Sequence, residues 1–232
     1  MNYTPKVSVI MSVYNDYENI EFSVNSILNQ NYENLEFLIM DDCSTDSTPI
    51  ILRKFKTNKK IKLFRNKVNI GLTKSLNILI KESTGELIAR QDSDDISFVT
   101  RIKDQVDFIK ANNIDGCSTK AKIKNFDNVI PKYSHKLPPK LIFLFKNPFL
   151  HGTFLIFKDA IENVGMYDEN FYFAQDYKLT SDLIKQGYKF KTLNKVLYQL
   201  NIENNLTSKN LSKQKQAAEI IKTSNQMWIL HG

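Results

Sequence analysis

The first hundred residues alternate between short, continuous apolar runs and longer stretches with helical spacing. Lys6–Tyr14 is rich in β-branched residues and reads as a central strand buried on both faces. Asn15, with Glu18 three residues on, matches a capping box, and the helix that follows places Ile20, Val24, Ile27 and Leu28 on one face. Leu35–Met40 is a second strand ending at Asp41-Asp42, and Pro49 fits the first position of another helix. Ile61–Phe64 is a third strand. Leu72, Leu76, Leu79 and Ile80 mark a third helical face, and residues 86–90 a fourth strand. Strands and helices alternating at this spacing predict βαβ units and a mostly parallel sheet. In such sheets ligands bind beyond the carboxyl ends of the strands.

The second half is less regular. Val99–Asn112 predicts a helix with Ile102, Val106 and Ile109 on one face. Residues 115–150 hold weak β runs broken by Pro131, Pro138, Pro139 and Pro148, and read as an irregular excursion. Thr153–Phe157 is a strand, Gly165–Glu169 a turn, Asp176–Lys185 a helix and Phe190–Leu200 another strand. The tail over 208–230 reads as a basic helix with Lys209, Lys213, Lys215 and Lys222, ending in Met227-Trp228-Ile229-Leu230. Such a tail either lies on a membrane surface or packs on its own domain or a partner. The expected organisation is one domain with three parts, 1–98, 99–207 and 208–232.

Composition changes the picture only modestly. With 42% apolar and 25% charged residues in 232, the chain has the make-up of a soluble globular protein. The net charge of +7 suits an anionic partner without choosing one. The lysines read as spread along the chain and no nucleic-acid module is present, so nucleic acid is not an expected partner. Cys43 and Cys117 stand far apart, which excludes a disulfide framework or a zinc site and fits a reducing compartment. The N-terminal residues lack signal-peptide architecture, and no apolar run reaches the ~18 residues of a membrane span. The expectation is a cytoplasmic protein, peripheral at the inner face of the plasma membrane through its basic tail.

The candidate chemistry centres on Arg90-Gln91-Asp92-Ser93-Asp94-Asp95, directly after the apolar run Leu87-Ile88-Ala89. Three carboxylates in four residues at a strand end repel one another unless a cation or a ring of donors sits among them. Oxygen-only ligands suit Mg²⁺ or Mn²⁺, which share one or two carboxylates with substrate phosphates. The competing reading is a solvated acidic turn that caps the next helix. Against it, Ser12, Asp42 and Asp92/Asp94 all fall at predicted carboxyl ends of separate strands, where one crevice gathers them.

These residues also form an ordered series. It runs Val7–Asn15, Met40–Asp46, Asn69-Ile70-Gly71-Leu72, Ser75-Leu76-Asn77, Gly85–Asp95, Arg101 and Gln105, His151-Gly152-Thr153, Gly165–Asp168 and Ala174–Tyr177. In that order the chain resembles the family-2 inverting, nucleotide-sugar-dependent glycosyltransferases of the GT-A fold. The resemblance implies an α/β, Rossmann-like fold with a mostly parallel central sheet, helices on both faces, a small acceptor-side sheet and a C-terminal helix. It implies that Ser12, Tyr14 and Asp42 bind the nucleotide, Asp42 reading uracil if the donor is a UDP-sugar. Asp94 is implied as metal ligand, with Asp92 on the ribose or metal side, Ser93 beside them, and Mn²⁺ or Mg²⁺ as cofactor. Asp176 matches the catalytic base, Arg90 and Lys74 the diphosphate or donor contacts, and His151 a donor- or acceptor-sugar contact.

Without the resemblance, Asp176 would read as a helix N-cap and His151 as a packing residue. The implied reaction moves a sugar from a nucleoside-diphosphate donor to a hydroxyl of a glycan or lipid-linked acceptor in bacterial surface polysaccharide synthesis. Three departures stand out: Gln175 replaces a usual Glu, Val99 a frequent Pro, and Asn201 a His that serves relatives as a metal ligand. Gln175 and Asn201 keep open a catalytically impaired nucleotide-sugar-binding module. A sugar-nucleotide nucleotidyltransferase would need a Gly-rich loop where Tyr14-Asn15-Asp16-Tyr17 stand, in a chain with 7 glycines.

Overall fold

β1 (Val7–Val13) is buried along almost its whole length, which places it inside a sheet rather than at an edge. In the computed structural model, which describes residues 4–132, 142–143, 145–202 and 211–231, it is an inner strand of nine. The elements follow as α1 (Ile20–Leu28), β2 (Leu35–Asp41), α2 (Thr48–Arg53), β3 (Ile61–Arg65), α3 (Leu72–Glu82), β4 (Leu87–Arg90) and β5 (Ile96–Ser97). Then come α4 (Arg101–Asn112), β6 (Gly116–Ile123), β7 (Val129–Ile130), a 3₁₀ turn (His151–Thr153) and β8 (Leu155–Phe157). α5 (Lys158–Asn163), α6 (Gln175–Lys185), β9 (Phe190–Leu200) and α7 (Leu211–His231) complete the chain.

The strand order is β3-β2-β1-β4-β8-β6-β9-β5, with β7 paired to β6. β3, β2, β1 and β4 are parallel, in a register that pairs Val13 with Asp41, Asp41 with Arg65 and Ile10 with Arg90. That register brings the carboxyl ends of four strands to one edge. β8 joins β4 antiparallel, and β6 and β9 continue the same sheet. The acceptor-side strands therefore extend the central sheet instead of forming one of their own. One core lies between the sheet and α1, α2 and α4; the other lies between the sheet and α3, α5, α6 and α7.

Several sequence expectations change. Asn15 does not cap α1, which starts at Ile20 and whose N-cap, Asn19, makes no side-chain cap bond. Asn15 is left-handed (φ 51°); its N–H donates to Ser44 Oγ (3.0 Å) and its Oδ1 accepts from Thr45 N (2.8 Å). Asn15 thus staples the end of β1 to the turn after β2. Thr153 lies in the 3₁₀ turn, so the strand starts at Leu155.

The supposed excursion holds an eight-residue inner strand, β6, whose Cys117, Ser118, Thr119 and Ala121 are fully buried. Pro138 and Pro139 lie outside the described residues. α7 packs on α6 through Ser181 Oγ to Asn225 Oδ1 (2.5 Å) and Lys185 Nζ to Ser224 Oγ (2.8 Å), with Ile221 buried beneath. One face of the basic helix is thus covered by its own chain. Lys213 and Lys215 are exposed, and Lys209 lies outside the described residues.

Candidate active site

β4 ends at Arg90, a fully buried arginine held by neutral and charged acceptors. Its Nη1 donates to the carbonyls of Ile10 (3.2 Å) and Gln91 (2.9 Å), and Nη2 forms a short ion pair with Asp92. Burial would raise the Asp92 carboxyl, yet the Arg90 guanidinium holds it below its usual value. Asp92 N donates to the Tyr198 hydroxyl oxygen (3.2 Å). A Cβ at Gly152 would sit 2.6 Å from both Asp92 Oδ2 and that hydroxyl oxygen, so only glycine lets the 3₁₀ turn close on the pair.

Asp94 lacks a counter-charge of that kind. Burial, then Asp92, then Asp16 push its carboxyl up to about 7. Asp16 Oδ2 accepts from Ser93 Oγ (2.6 Å), which brings the loop after β1 against the acidic turn. Asp95 turns inward, accepts from Asn201 N (2.7 Å), and is raised well above its ordinary value by burial and by Asp92 and Asp94. Beneath the turn, buried Arg101 donates to Gln91 Oε1 (3.0 Å), Ser97 Oγ (2.7 Å) and Arg90 O (2.7 Å), and lies over the Tyr198 ring.

Asp176 stands in the first turn of α6, one residue inside the helix; the N-cap is Ala174, in the left-handed region (φ 57°). It is therefore not a cap. Asn147 Nδ2 donates to its Oδ2 at 2.7 Å, and burial raises its pKa, with Asp92 adding to the rise. Tyr167 lies in the electrostatic reach of both Asp92 and Asp176, and its hydroxyl is 2.7 Å from His151 Nε2. Arg90 Nε donates to the same nitrogen at 3.3 Å. Since guanidinium only donates, Nε2 accepts and the ring proton is on Nδ1. Burial and then Arg90 push His151 down to about 3, so the imidazole is neutral at physiological pH.

Arg90, Asp92, Ser93, Asp94 and His151 are thus brought together, with Asp176 within electrostatic reach of Asp92 and Tyr167. The other expected residues lie along the same strand ends. Ser12 is half-buried on β1, Tyr14 is half-exposed after it, and Lys74 is exposed in the first turn of α3. Asp42 is buried, and its carboxylate accepts from Asn66 Nδ2 (2.7 Å), Ile70 N (3.0 Å) and Gly71 N (2.8 Å). It fastens the loop that leads into α3, a role its position in sequence does not reveal. No hydrogen bond or ion pair among the described residues joins these four to the Asp92 cluster.

Among the described residues, no three His, Cys, Asp or Glu side chains gather closely enough to cage a metal by themselves. Asp92 and Asp94 offer oxygens only, and the raised Asp94 marks a carboxylate short of positive charge. That donor set fits a hard divalent ion taking one or two protein carboxylates and completing its shell from phosphate and water.

A family model described as Glycosyl transferase family 2 matches residues 8–171. The chain belongs to that family. Putative glycosyltransferase EpsE of Bacillus subtilis is 35% identical over 208 residues, covering 86% of this chain and 74% of EpsE. The putative teichuronic acid biosynthesis glycosyltransferase TuaG of the same organism is 28% identical over 213 residues, covering 90% and 84%. The fold is that of S. aureus TarS 1–349 in complex with UDP-GlcNAc, with a TM-score of 0.80 at 23% identity, over 98% of this chain and 67% of that one. The longer TarS chain is covered to 39%.

For a family-2 glycosyltransferase, several residues around the site carry no label in the sequence. Asp16, Asn147, Tyr167, Tyr198 and Arg101 reach it from five separate segments. Tyr167 and Arg101 fall in the ordered series, and Tyr198 in the stretch that ends at Asn201, where relatives carry a His. Asp16 and Asn147 are single polar residues with no periodic signal, made meaningful only by the sheet that gathers them.

Proposed function

We propose that the chain transfers a sugar, with inversion, from a nucleoside-diphosphate donor to a hydroxyl of a glycan or lipid-linked acceptor in bacterial surface polysaccharide synthesis. The observation that carries the reading is the pairing of an acidic turn at the end of β4 with a separate half-buried carboxylate, Asp176. Asp92 and Asp176 lie within electrostatic reach of one another, and Tyr167, bonded to His151 and through it to Arg90, lies within reach of both.

In the step itself the acceptor oxygen bonds to the anomeric carbon while the bond from that carbon to the diphosphate oxygen breaks. The electron pair leaves with the diphosphate. The hydroxyl proton passes to Asp176, whose raised pKa makes it a stronger base than a solvated aspartate. Asn147 Nδ2 donates to one oxygen of that carboxylate, and backbone N–H groups at the start of α6 donate to it as well. Asp94 and Asp92 would hold the divalent ion, Arg90 keeping Asp92 ionised. When bound there, the ion supplies positive charge against the diphosphate as it departs.

A uridine donor is favoured by the fold shared with a protein seen with UDP-GlcNAc, and a surface-polymer acceptor by the kinship with TuaG. Gln175 leaves one carboxylate fewer beside the base, and Asn201 is used through its backbone to hold Asp95. Neither touches Asp176 or Asp94 in a described hydrogen bond. The test is a thermal-shift screen of UDP, GDP, CMP and their common sugars with and without Mn²⁺, followed by donor hydrolysis. The reading expects a UDP-class ligand to raise Tm in Mn²⁺ and free sugar to accumulate. Stabilisation without any hydrolysis or transfer would make the chain a binding module.

A further inference from the structure

The flank of the sheet that carries β3 is charged unlike the rest of the molecule. From Ser47 to Lys81 there are ten Lys and Arg and no Asp or Glu. The remaining residues hold 22 cations against 25 acids, a net −3 in a chain of net +7. The lysines are therefore not spread evenly, as the sequence had suggested, but gathered where they share one edge. β3 is the edge strand, α2 lies against one face of the sheet beside it, and α3 lies against the other.

Three of the ten cations are neutralised: Lys54 by Glu21 (2.9 Å), Lys62 by Glu36 (2.9 Å) and Arg65 by Asp41 (3.2 Å). The other seven form no ion pair among the described residues. Arg53, Lys56, Lys59 and Lys67 among them are exposed. Two large aliphatic side chains stand out in the same segment, Ile50 at 61% exposed and Val68 at 63%.

We infer that this edge is the docking surface for an anionic lipid bilayer. An unneutralised row of cations raises the local concentration of anionic headgroups and is attracted to them within a Debye length. The exposed aliphatics decide between a bilayer and a soluble polyanion. Ile50 and Val68 gain nothing from a phosphate or carboxylate polymer but are taken out of water at a headgroup–acyl boundary. Among the described residues no helix is long and apolar enough to cross a membrane, so the contact is peripheral. The face of α7 that packs on α6 is already covered, and its exposed Ile220 and Met227 lie beside fewer cations than the β3 edge gathers. The inference rests on charge and exposure and not on the transfer reaction.

The test is co-sedimentation of the full chain with vesicles of phosphatidylcholine alone and of phosphatidylcholine mixed with phosphatidylglycerol. The wild type should bind the mixed vesicles only. Each cation removed should weaken binding by about fivefold, so Arg53→Ser/Lys56→Ser/Lys59→Ser should lose on the order of a hundredfold. Ile50→Ser should weaken vesicle binding without changing retention on heparin. Lys213→Ser/Lys215→Ser, on α7, should bind as the wild type does. If the triple variant melts early, Lys56→Ser alone should still lose its fivefold.

Equal binding by the triple variant and the wild type, or equal binding to neutral vesicles, overturns the inference. So does binding to heparin with none to mixed vesicles, which would assign the edge to a soluble polyanion. Nucleotide affinity, measured alongside, should be the same in all variants and keeps this result separate from the transferase reading.

Discussion

Asp94 is the carboxylate most out of balance with its surroundings, and it makes the site's cation chemistry measurable. At about 7, it is largely protonated below neutrality and ionised above. A cation binds only the ionised form, so apparent Mn²⁺ affinity in the presence of nucleotide should rise from pH 6 to pH 8 and level off above. Calorimetry in buffers of different ionisation enthalpy should show proton release near pH 7. Heats independent of the buffer would contradict the assignment. His151, pushed down to about 3, should add no step between pH 5 and pH 8.

Gly152 gives a second test at this scale. A Cβ there would meet Asp92 Oδ2 and the Tyr198 oxygen at 2.6 Å, so Gly152→Ala should displace Asp92. Activity should fall by an order of magnitude or more, while the melting temperature moves little. A fully active Gly152→Ala enzyme would show that the Asp92 position is not critical. Asp92 and Asp94 stand out in sequence because three acids fall within four residues, whereas Asp176 stands out only through the family resemblance. Asp42 was legible as a strand-end acid, yet its bonds to Ile70 N and Gly71 N depend on a loop conformation that no spacing encodes.

Among the elements, the lower ends of β1, β2 and β4 are tied by a polar network remote from the site. Glu36 accepts from Ser8 Oγ (2.6 Å) and Thr84 N (2.7 Å), and pairs with Lys62 (2.9 Å) and Lys6 (3.3 Å). Burial would raise its carboxyl, but Lys62, Ser8 and Thr84 bring it down to about 2, below the ordinary 4.5. A carboxylate depressed in the folded state adds stability above its unfolded pKa and loses it as pH falls through the folded one. Glu36→Gln should thus be less stable than wild type at neutral pH, the gap closing between about pH 4.5 and pH 2. Urea denaturation at both ends of that window checks it, and a gap constant with pH would contradict it.

The elements themselves show why some were legible. β1, β2 and β4 are continuous apolar runs with turn residues after them, and α3 and α4 carry clear helical faces. The first four residues of β6 are as buried as they are, but Gly116, Ser118 and Thr119 among them are small or polar, so the strand carries no apolar pattern. Gly116 is small because the Phe190 ring would lie 2.7 Å from a Cβ there. That reason lies across the sheet, in β9.

On the scale of the whole molecule, one sheet gathers the site from both of its sides. The parallel half brings the carboxyl ends of β1 to β4 to one edge, while the 3₁₀ turn before β8, strand β9 and the start of α6 bring in His151, Tyr198 and Asp176. Asp94 and Asp176 stand on different elements, so either carboxylate can be removed by itself without touching the core. The central claim is that Asp94 serves the donor and its ion while Asp176 serves the acceptor proton.

The direct test is calorimetric titration of UDP with and without Mn²⁺ on wild type, Asp94→Asn and Asp176→Asn, with turnover measured on the same samples. The account predicts cation-dependent UDP binding that Asp94→Asn loses and Asp176→Asn keeps, with turnover reduced roughly 10²–10⁴-fold by Asp176→Asn. UDP binding that ignores both Mn²⁺ and Asp94→Asn, or an Asp176→Asn enzyme that turns over normally, would contradict it.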